Sequence, residues 1–281
     1  MTTLITGARG KIGQAVIARL HDDGLPVRAA SADPSALTVP AGVDTAELRL
    51  DAPETFDAAL KGVTQVLLYA EPAAIDAFIA TAQAAGVEHI VLISSSSVLD
   101  ADATDDSIGG HHLAVENALA ASDLTTTVLR PGAFASNTFG WAYFISHDLP
   151  IQLAYPDAGI TPIHTADIAD IAIAALTGAT AVRGRTFNLT GPQALTFREQ
   201  LAIVSDVLGR DIPLVHITHA EQLAQMSQHM PADMADGLLD FWAAATAHPE
   251  TVGDTAESVL GTTARSFEQW VREHAAAFSR S

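Results

Sequence analysis

The sequence of 281 residues contains no cysteine, which excludes disulfide bonds, thiol catalysis and thiolate-bound metals. Basic residues are scarce as well: 14 Lys and Arg stand against 33 Asp and Glu, a formal net charge of −19. A phosphate backbone repels so acidic a surface, so we expect no nucleic-acid partner. No apolar run approaches the roughly 20 residues that span a bilayer, so we expect no membrane partner and a cytoplasmic location.

The first half of the chain alternates between two periodicities. Short apolar runs rich in β-branched residues are typical of buried strands; they read TLIT, PVRAAS, TQVLLYA, HIVLISS and TTTVLRP. Amphipathic segments lie between most of them, and in the first of these Ile12, Val16 and Leu20 form one apolar stripe. This alternation predicts an α/β fold of the Rossmann type, with a doubly wound parallel sheet.

After Pro131 the regular alternation ends. A segment rich in Gly, Pro, Asn and large aromatic residues predicts loops and short elements, and a predicted helix, a strand and a second helix follow it. Thr196 and Glu199 have the spacing of a capping box at the start of that second helix. We therefore predict a dinucleotide-binding domain over residues 1–150. Residues 151–281 are predicted to form a smaller, mostly helical substrate-binding part, with some elements packing back on the sheet.

The segment TGARGKIG, residues 6–13, lies between the first strand and the first helix. Gly7 permits a tight turn, Gly10 lets the backbone approach a pyrophosphate, and Gly13 lets helix and strand pack closely. The helix N-terminus then presents free N–H groups to the phosphates. We predict dinucleotide binding by Gly7, Ala8, Arg9, Gly10, Lys11, Ile12 and Gly13.

The type of dinucleotide is less strongly indicated. Asp33 lies where an acidic residue would bind the adenosine ribose, although it could equally be a turn residue. Arg9, Lys11 and Arg28 could each meet a 2′-phosphate. Asp51, after the third strand, could accept a hydrogen bond from the adenine amino group or could N-cap the segment PETFDAAL. On balance the sequence slightly favours NADP(H) over NAD(H).

Four stretches of sequence together resemble the NmrA-like branch of the atypical short-chain dehydrogenase/reductases, in order and over nearly the whole chain. They are TGARGKIG, HIVLISSSS, HHLAVENALAASDLTTTVLRPGAF and HTADIADIAIAALTG with GRTFNLTGPQALTF. The branch contains NAD(P)H-dependent quinone reductases, other small-molecule reductases, and regulators that bind the nucleotide without turning it over. The resemblance implies NAD(P) binding.

Two features depart from patterns known in these families. Ala32 stands where members that use NADP often carry arginine. His112 and Glu116 take the place of the catalytic Tyr-x-x-x-Lys of the wider superfamily, as they do in NmrA-like quinone reductases. His112 could donate a proton near neutral pH with its pKa raised by Glu116, or both residues could belong to a solvated helix face. His111 could join them in a metal site, but no distant cluster completes a ligand set, so we expect no metal.

Further candidate residues lie at the predicted carboxyl edge of the sheet, where ligands of such folds bind. Ser95 could orient or protonate the acceptor, or it could cap the end of the strand. Cofactor contacts are predicted for Tyr69, Ala70, Glu71, Ser94, Pro131 and Gly132. The predicted walls of a substrate pocket are Phe134, Asn137, Trp141 and Tyr143, and core packing is the alternative for the last two.

These residues predict an NAD(P)H-dependent reductase that transfers hydride to a quinone, an enone or a similar conjugated small-molecule carbonyl. Such an acceptor needs little help from an acid, which suits a site without the tyrosine. The alternative is a regulatory protein that senses NAD(P) and binds a protein partner. A third hypothesis is a non-redox isomerase or lyase. A homodimer is compatible with the sequence.

Overall fold

The computed structural model describes residues 2–99 and 107–279. Eleven strands are found there: β1 (Thr2–Ile5), β2 (Val27–Ser31), β3 (Asp44–Glu47), β4 (Val63–Tyr69), β5 (His89–Ile93), β6 (Thr125–Pro131), β7 (Ile151–Leu153), β8 (Gly159–Ile160), β9 (Thr186–Leu189), β10 (Leu195–Thr196) and β11 (Leu214–His216). The helices of the same part are α1 (Lys11–Asp22), α2 (Phe56–Leu60), α3 (Ile75–Ala85), α4 (Ile108–Ala120), α5 (Ala142–Ser146), α6 (Thr165–Leu176), α7 (Phe197–Leu208), α8 (His219–Met226), α9 (Ala232–Ala247), α10 (Ala256–Leu260) and α11 (Phe267–Glu273).

The chain divides into two compact units. The first comprises Met1–Gly132, Thr165–Leu189 and Ala256–Thr263, and the second comprises Ala133–His164, Thr190–Thr255 and Ala264–Ser281. This division differs from the predicted boundary at residue 150. The chain leaves the first unit directly after β6 and later returns to it with α6, β9 and α10, so the units interleave in sequence.

A seven-stranded parallel sheet, in the order β3-β2-β1-β4-β5-β6-β9, forms the centre of the first unit. The strand order reverses between β1 and β4, which is the topological switch point of a doubly wound sheet. All five residues of β5 are buried, as expected of a strand with helices on both faces. The predicted α/β fold of the Rossmann type is confirmed.

Helices cover the sheet of the first unit through apolar side chains. Phe56 of α2 meets Phe78 of α3 edge to face, with ring centroids 5.3 Å apart, and both are fully buried. On α1, the predicted stripe of Ile12, Val16 and Leu20 is buried. Helix α6 packs against α1 and also contacts β4, β5 and β6.

The second unit is smaller and mostly helical, as predicted for the C-terminal part. It holds two short two-stranded sheets, antiparallel β8-β10 and parallel β7-β11. Its core is aromatic, with Trp270 stacked beside Phe267 and in edge contact with Phe139. Helix α7 begins with the predicted capping box, in which Thr196 and Glu199 bond to each other's backbone N–H groups. Within the described ranges, no helix has both the length and the apolar character needed to cross a membrane.

A buried histidine lies at the amino end of β5, away from the edge where ligands of this fold bind. His89 is fully buried, and its Nε2 lies 2.9 Å from Oγ1 of Thr127 on β6. Burial lowers the pKa of His89 to about 4, and Arg183 contributes in the same direction. The native state therefore holds a neutral imidazole at pH values where the unfolded chain binds a proton.

This histidine predicts a loss of stability in mild acid. With the pKa of His89 depressed, its contribution is complete above the unfolded value near 6.5 and falls as the pH drops toward 4. We expect the free energy of unfolding to fall by about 1 kcal/mol between pH 7.5 and pH 5.5 on this account. Urea unfolding at both pH values should show this fall in the wild type and not in His89→Gln. If the free energy of unfolding depends on pH in the same way in both proteins, His89 is not the cause.

Candidate functional site

The parallel register of the sheet brings the predicted cofactor residues to one edge. The glycine-rich loop follows β1, Tyr69 ends β4, and Ser94 follows β5. The Pro131–Gly132 step ends β6, and the Gly132 N–H donates to the Leu189 carbonyl 3.0 Å away. Four neighbouring carboxyl ends thus carry residues predicted independently of one another, at the switch point and beside it.

Two positions of the loop admit glycine alone. Gly7 has φ +62°, and a Cβ there would lie 2.6 Å from Cδ2 of Tyr69. A Cβ on Gly13 would lie 2.5 Å from the carbonyl oxygen of Gly7. Both distances are shorter than real Cβ contacts. The loop therefore folds tightly against β4 and against the first turn of α1, as the glycine spacing predicts.

The start of α1 is suited to an anion. Its N-cap is Gly10, which has no side chain to satisfy the N–H groups of the first turn, and no acidic residue lies in that turn. Arg9 and Lys11 are exposed beside it. Free N–H groups, the positive end of the helix dipole and two cations together match a pyrophosphate. The residues present thus fit a dinucleotide.

Asp33 serves the turn after β2. Its Oδ1 accepts hydrogen bonds from the Ser35 N–H at 3.0 Å and the Ser35 hydroxyl at 2.6 Å. The hydroxyl bond is the main reason why the pKa of Asp33 is lowered, and Arg9 adds to the effect. Asp33 therefore has the turn role that the sequence allowed. Its binding to the adenosine ribose stays a prediction.

Asp51 does not cap the following helical segment. The N-cap of that segment is Ala52, so the capping alternative was wrong. Asp51 instead lies 3.3 Å from a guanidinium nitrogen of Arg49, and both side chains are about half exposed. A contact with adenine remains a prediction.

Tyr69 is held at this edge through its backbone and contributes its ring to the shape of the loop. Its N–H donates to Oγ1 of Thr6 at 2.9 Å, and its ring covers Gly7. Burial raises the pKa of Tyr69 to about 12, which makes its hydroxyl a poor acid. Next along the chain, half-buried Ala70 packs against the core, and the Glu71 carboxylate accepts from the Ala73 N–H at 3.1 Å.

Glu116 is a buried carboxylate at this edge that accepts hydrogen bonds from two other elements. The Ser94 hydroxyl donates to it at 2.5 Å, and Arg130 donates through Nε at 3.0 Å and through a terminal nitrogen at 2.5 Å. Glu116 is 8% exposed and Arg130 is 19% exposed. Arg130 was not among the residues predicted from the sequence, although an arginine on a buried strand signals the need for an acidic partner. The Ser94 hydroxyl donates its proton to Glu116 of α4, so toward a cofactor it could only accept a hydrogen bond.

His112 lies one helical turn before Glu116, and its electrostatics differ from the prediction. Burial lowers the pKa of His112; Glu116 opposes this, and His111 adds to it. The expectation that Glu116 would raise this pKa was wrong in its net result, because desolvation outweighs the carboxylate. Among the described residues, the buried Nδ1 of His112 has no hydrogen-bond partner.

Ser95 caps the turn that follows β5. Its Oγ accepts from the Ser97 N–H at 3.2 Å and lies 2.9 Å from the Ser97 hydroxyl. This is the capping role that the sequence left open. A hydroxyl that accepts two hydrogen bonds keeps its own proton for donation, so the predicted role toward an acceptor is compatible with the cap.

The four predicted substrate residues all belong to the second unit. Phe134 is half-buried and bridges to Ile163 through its backbone. Asn137 is exposed, and half-buried Trp141 packs edge to face on Phe197 at 6.3 Å, which is the core role weighed for it. Tyr143 is 62% exposed, so core packing does not account for it. Their contact with substrate stays a prediction.

Three side chains of the second unit come within metal-binding reach of one another: His219, Asp236 and Asp240. The sequence analysis did not single them out. The two aspartates are exposed, and His219 is bonded on both ring nitrogens, to Tyr155 at 2.8 Å and to Asp236 at 2.8 Å. His164 is buried, and its Nε2 lies 3.0 Å from a carboxylate oxygen of Glu273.

Comparison with known proteins agrees with this geometry. The model of a family described as NAD(P)H-binding matches residues 7–179. A reductase of Streptomyces griseus, named for a (4-alkanoyl-5-oxo-2,5-dihydrofuran-3-yl)methyl phosphate, is 36% identical over 98% of this chain and 99% of its own. The NAD(P)H azoreductase of Xenophilus azovorans is 32% identical over 98% of both chains.

One similar solved structure is an NADPH-dependent quinone oxidoreductase from Escherichia coli, determined with NADPH. It superposes with a TM-score of 0.80 over 98% of this chain and 99% of its own, at 23% identity. At this level of identity the likeness concerns the fold.

The loop geometry predicts that Gly13→Ala weakens nucleotide binding. The added methyl group collides with the Gly7 carbonyl and displaces the loop, so we expect the Kd for NADPH to rise about tenfold or more, a loss of about 1.4 kcal/mol. Gly237→Ala on α9 is the matched control, because its Cβ meets no atom within 4 Å. Fluorescence titration with NADPH checks both variants. Equal Kd values would show that the loop does not hold the nucleotide.

Proposed function

The chain belongs to the NAD(P)H-binding family, in the NmrA-like branch of the atypical short-chain dehydrogenase/reductases, and it is an NAD(P)H-dependent reductase; on this premise we propose that its acceptor is a quinone, an enone or a similar conjugated small-molecule carbonyl. One observation supports this acceptor class above others. Two titratable groups at the carboxyl edge, His112 and Tyr69, are poor proton donors at neutral pH, because burial lowers the pKa of His112 and raises the pKa of Tyr69 to about 12.

The chemistry of the acceptor follows from that weakness. The bound nicotinamide supplies hydride. A simple carbonyl then becomes an alkoxide and needs a proton from a nearby acid, whereas a conjugated acceptor spreads the charge and can take its proton from water. The Ser95 hydroxyl can donate a hydrogen bond to the acceptor oxygen, and a neutral His112 can orient a polar group through a ring nitrogen.

The charges of the second unit favour an uncharged acceptor. This unit contains no lysine. Among the described residues of this unit, Arg198, Arg210 and Arg272 pair with carboxylates, and Arg265 also has a partner. Its remaining arginine, Arg280, lies outside the described residues. The Streptomyces relative is named for a phosphate ester, and a dianion of that kind would find little to bind in this unit. We propose an uncharged acceptor, closer to a quinone.

We further propose NADPH as the preferred donor. Arg9 and Lys11 are exposed in the loop after β1, and Arg9 lies near enough to Asp33 to lower the pKa of that carboxyl. Asp33 is already occupied by Ser35. An arginine beside an engaged aspartate suits a 2′-phosphate better than a free ribose hydroxyl.

The acceptor proposal predicts NADPH consumption with conjugated acceptors. We expect turnover with a panel of quinones and enones and little turnover with saturated ketones. The assay measures the loss of absorbance of the reduced nicotinamide. A phosphate ester of the best acceptor should be the poorer substrate. His112→Ala should lower kcat by about tenfold, the usual scale for an orienting hydrogen bond of about 1–1.5 kcal/mol.

The outcomes separate the alternatives. Tight binding of NADPH without its oxidation by any acceptor would contradict the reductase function and favour the regulatory alternative. Turnover of saturated ketones at a similar rate would mean that a strong acid serves the site. Full activity in His112→Ala would return His112 to a structural role while leaving the reductase in place.

The cofactor proposal predicts a change of preference in Arg9→Gln. Losing one charged contact to the 2′-phosphate should lower the ratio of NADPH to NADH affinity by about tenfold. Lys61→Gln, an exposed charge before β4 at the opposite edge, is the matched control. Titration of each variant with both nucleotides gives the ratio. The same ratio in Arg9→Gln and Lys61→Gln would rule out Arg9 as the 2′-phosphate ligand.

A further inference from the structure

A buried charge on α4 requires an explanation that stability does not provide. Glu116 lies on the inner face of the helix, 8% exposed, at a position where an apolar residue would pack. Replacing a buried ion pair with apolar residues is often neutral or stabilising for a fold, because two charges no longer need to lose their hydration. The presence of the Glu116–Arg130 pair is therefore better explained by a need for fixed geometry than by a contribution to the stability of the fold.

The geometry that Glu116 fixes involves three elements of the first unit. Ser94 follows β5 and precedes Ser95. Arg130 is the penultimate residue of β6 and precedes the Pro131–Gly132 step. Glu116 joins both of them to α4, which carries His112 one turn earlier. Every residue that the pair holds is thus a direct neighbour, in sequence or along the helix, of a predicted site residue.

The hydrogen bonds need a carboxylate in particular. Oε1 accepts from the Ser94 hydroxyl and from Nε of Arg130, and Oε2 accepts from the terminal nitrogen of Arg130. A glutamine in either amide orientation would turn an N–H₂ group toward one of these donors. The three hydrogen bonds therefore form with the carboxylate of glutamate and not with the amide of glutamine, which has the same shape.

One described ion pair of the second unit lacks this buried setting. Arg198 and Asp157 form a similar two-bond pair, at 2.8 and 3.2 Å, but both side chains are more than half exposed. That pair lies between α7 and the segment after β7 in the second unit. It offers a matched case in which a carboxylate can be removed without loss of a buried bond.

We propose that Glu116 is a positioning residue for hydride transfer: by binding Arg130 and Ser94 it holds α4 against the carboxyl ends of β5 and β6 and so sets the places of His112 and Ser95. The proposal rests on the reductase function proposed above. Glu116 itself touches neither cofactor nor acceptor in this account, and its effect passes through the residues it holds.

The test compares Glu116→Gln, the double variant Glu116→Met with Arg130→Met, and the control Asp157→Asn. Glu116→Asp, which keeps the charge but shortens the side chain by one methylene, is a milder second variant. Three quantities are measured for each: the Tm, the Kd for NADPH, and the single-turnover rate with NADPH and with NADPH deuterated at C4.

We expect Glu116→Gln to slow hydride transfer about tenfold to a hundredfold, the scale of a displacement of about 1 Å, with the Kd for NADPH changed less than threefold. The isotope effect should grow as the chemical step becomes limiting. The double variant should regain Tm, since no unpaired charge remains buried, but not the rate. Glu116→Asp should fold and lie between Glu116→Gln and the wild type, and Asp157→Asn should match the wild type.

A rate that returns together with Tm in the double variant would overturn the proposal, because the pair would then be structural only. An unchanged rate in both Glu116→Gln and Glu116→Asp would overturn it too. If the wild type turns over no acceptor, the reductase proposal fails separately. The NMR shift of the His112 ring on NADPH binding then decides: loss of that shift in Glu116→Gln supports positioning, and an unchanged shift refutes it.

Discussion

The requirement that parallel strands end together is the constraint on which the site depends. Because β1, β4, β5 and β6 run the same way, segments separated by up to 125 residues in sequence, from Gly7 to Gly132, meet at one edge of the sheet. The segments pack closely where they meet, since Gly7 lies under the ring of Tyr69. The glycine spacing, the tyrosine ring and the switch point are therefore three aspects of one arrangement.

Features determined by local physics could be predicted from the sequence. The glycine loop is one, because steric exclusion of a Cβ acts over a few residues, and the capping box of Thr196 is another. The strand and helix periodicities of the first unit predicted its fold for the same reason. The position of Asp33 was identified too, but its choice between turn and ribose depends on the Ser35 hydroxyl, which spacing alone does not orient.

Features determined by distant partners could not be predicted in this way. The spacing of His112 and Glu116 suggested that they interact with each other, but the carboxylate turns to Arg130, which comes from a different element. Desolvation then reverses the expected effect on the imidazole. The sequence did predict that some elements after residue 150 pack back on the sheet, but nothing local in the helical pattern of α6 or the short strand β9 identifies these two as the elements that do so.

That return has a consequence for how the protein can be divided. The chain passes between its two units five times, so no single cut in the sequence yields either unit whole. A fragment ending at residue 150 would lack β9 and leave β6 as an unpaired edge strand, a template for aggregation. It would also lack α6, which covers α1 and three central strands. The nucleotide-binding unit is thus completed only when the later segments have been synthesised.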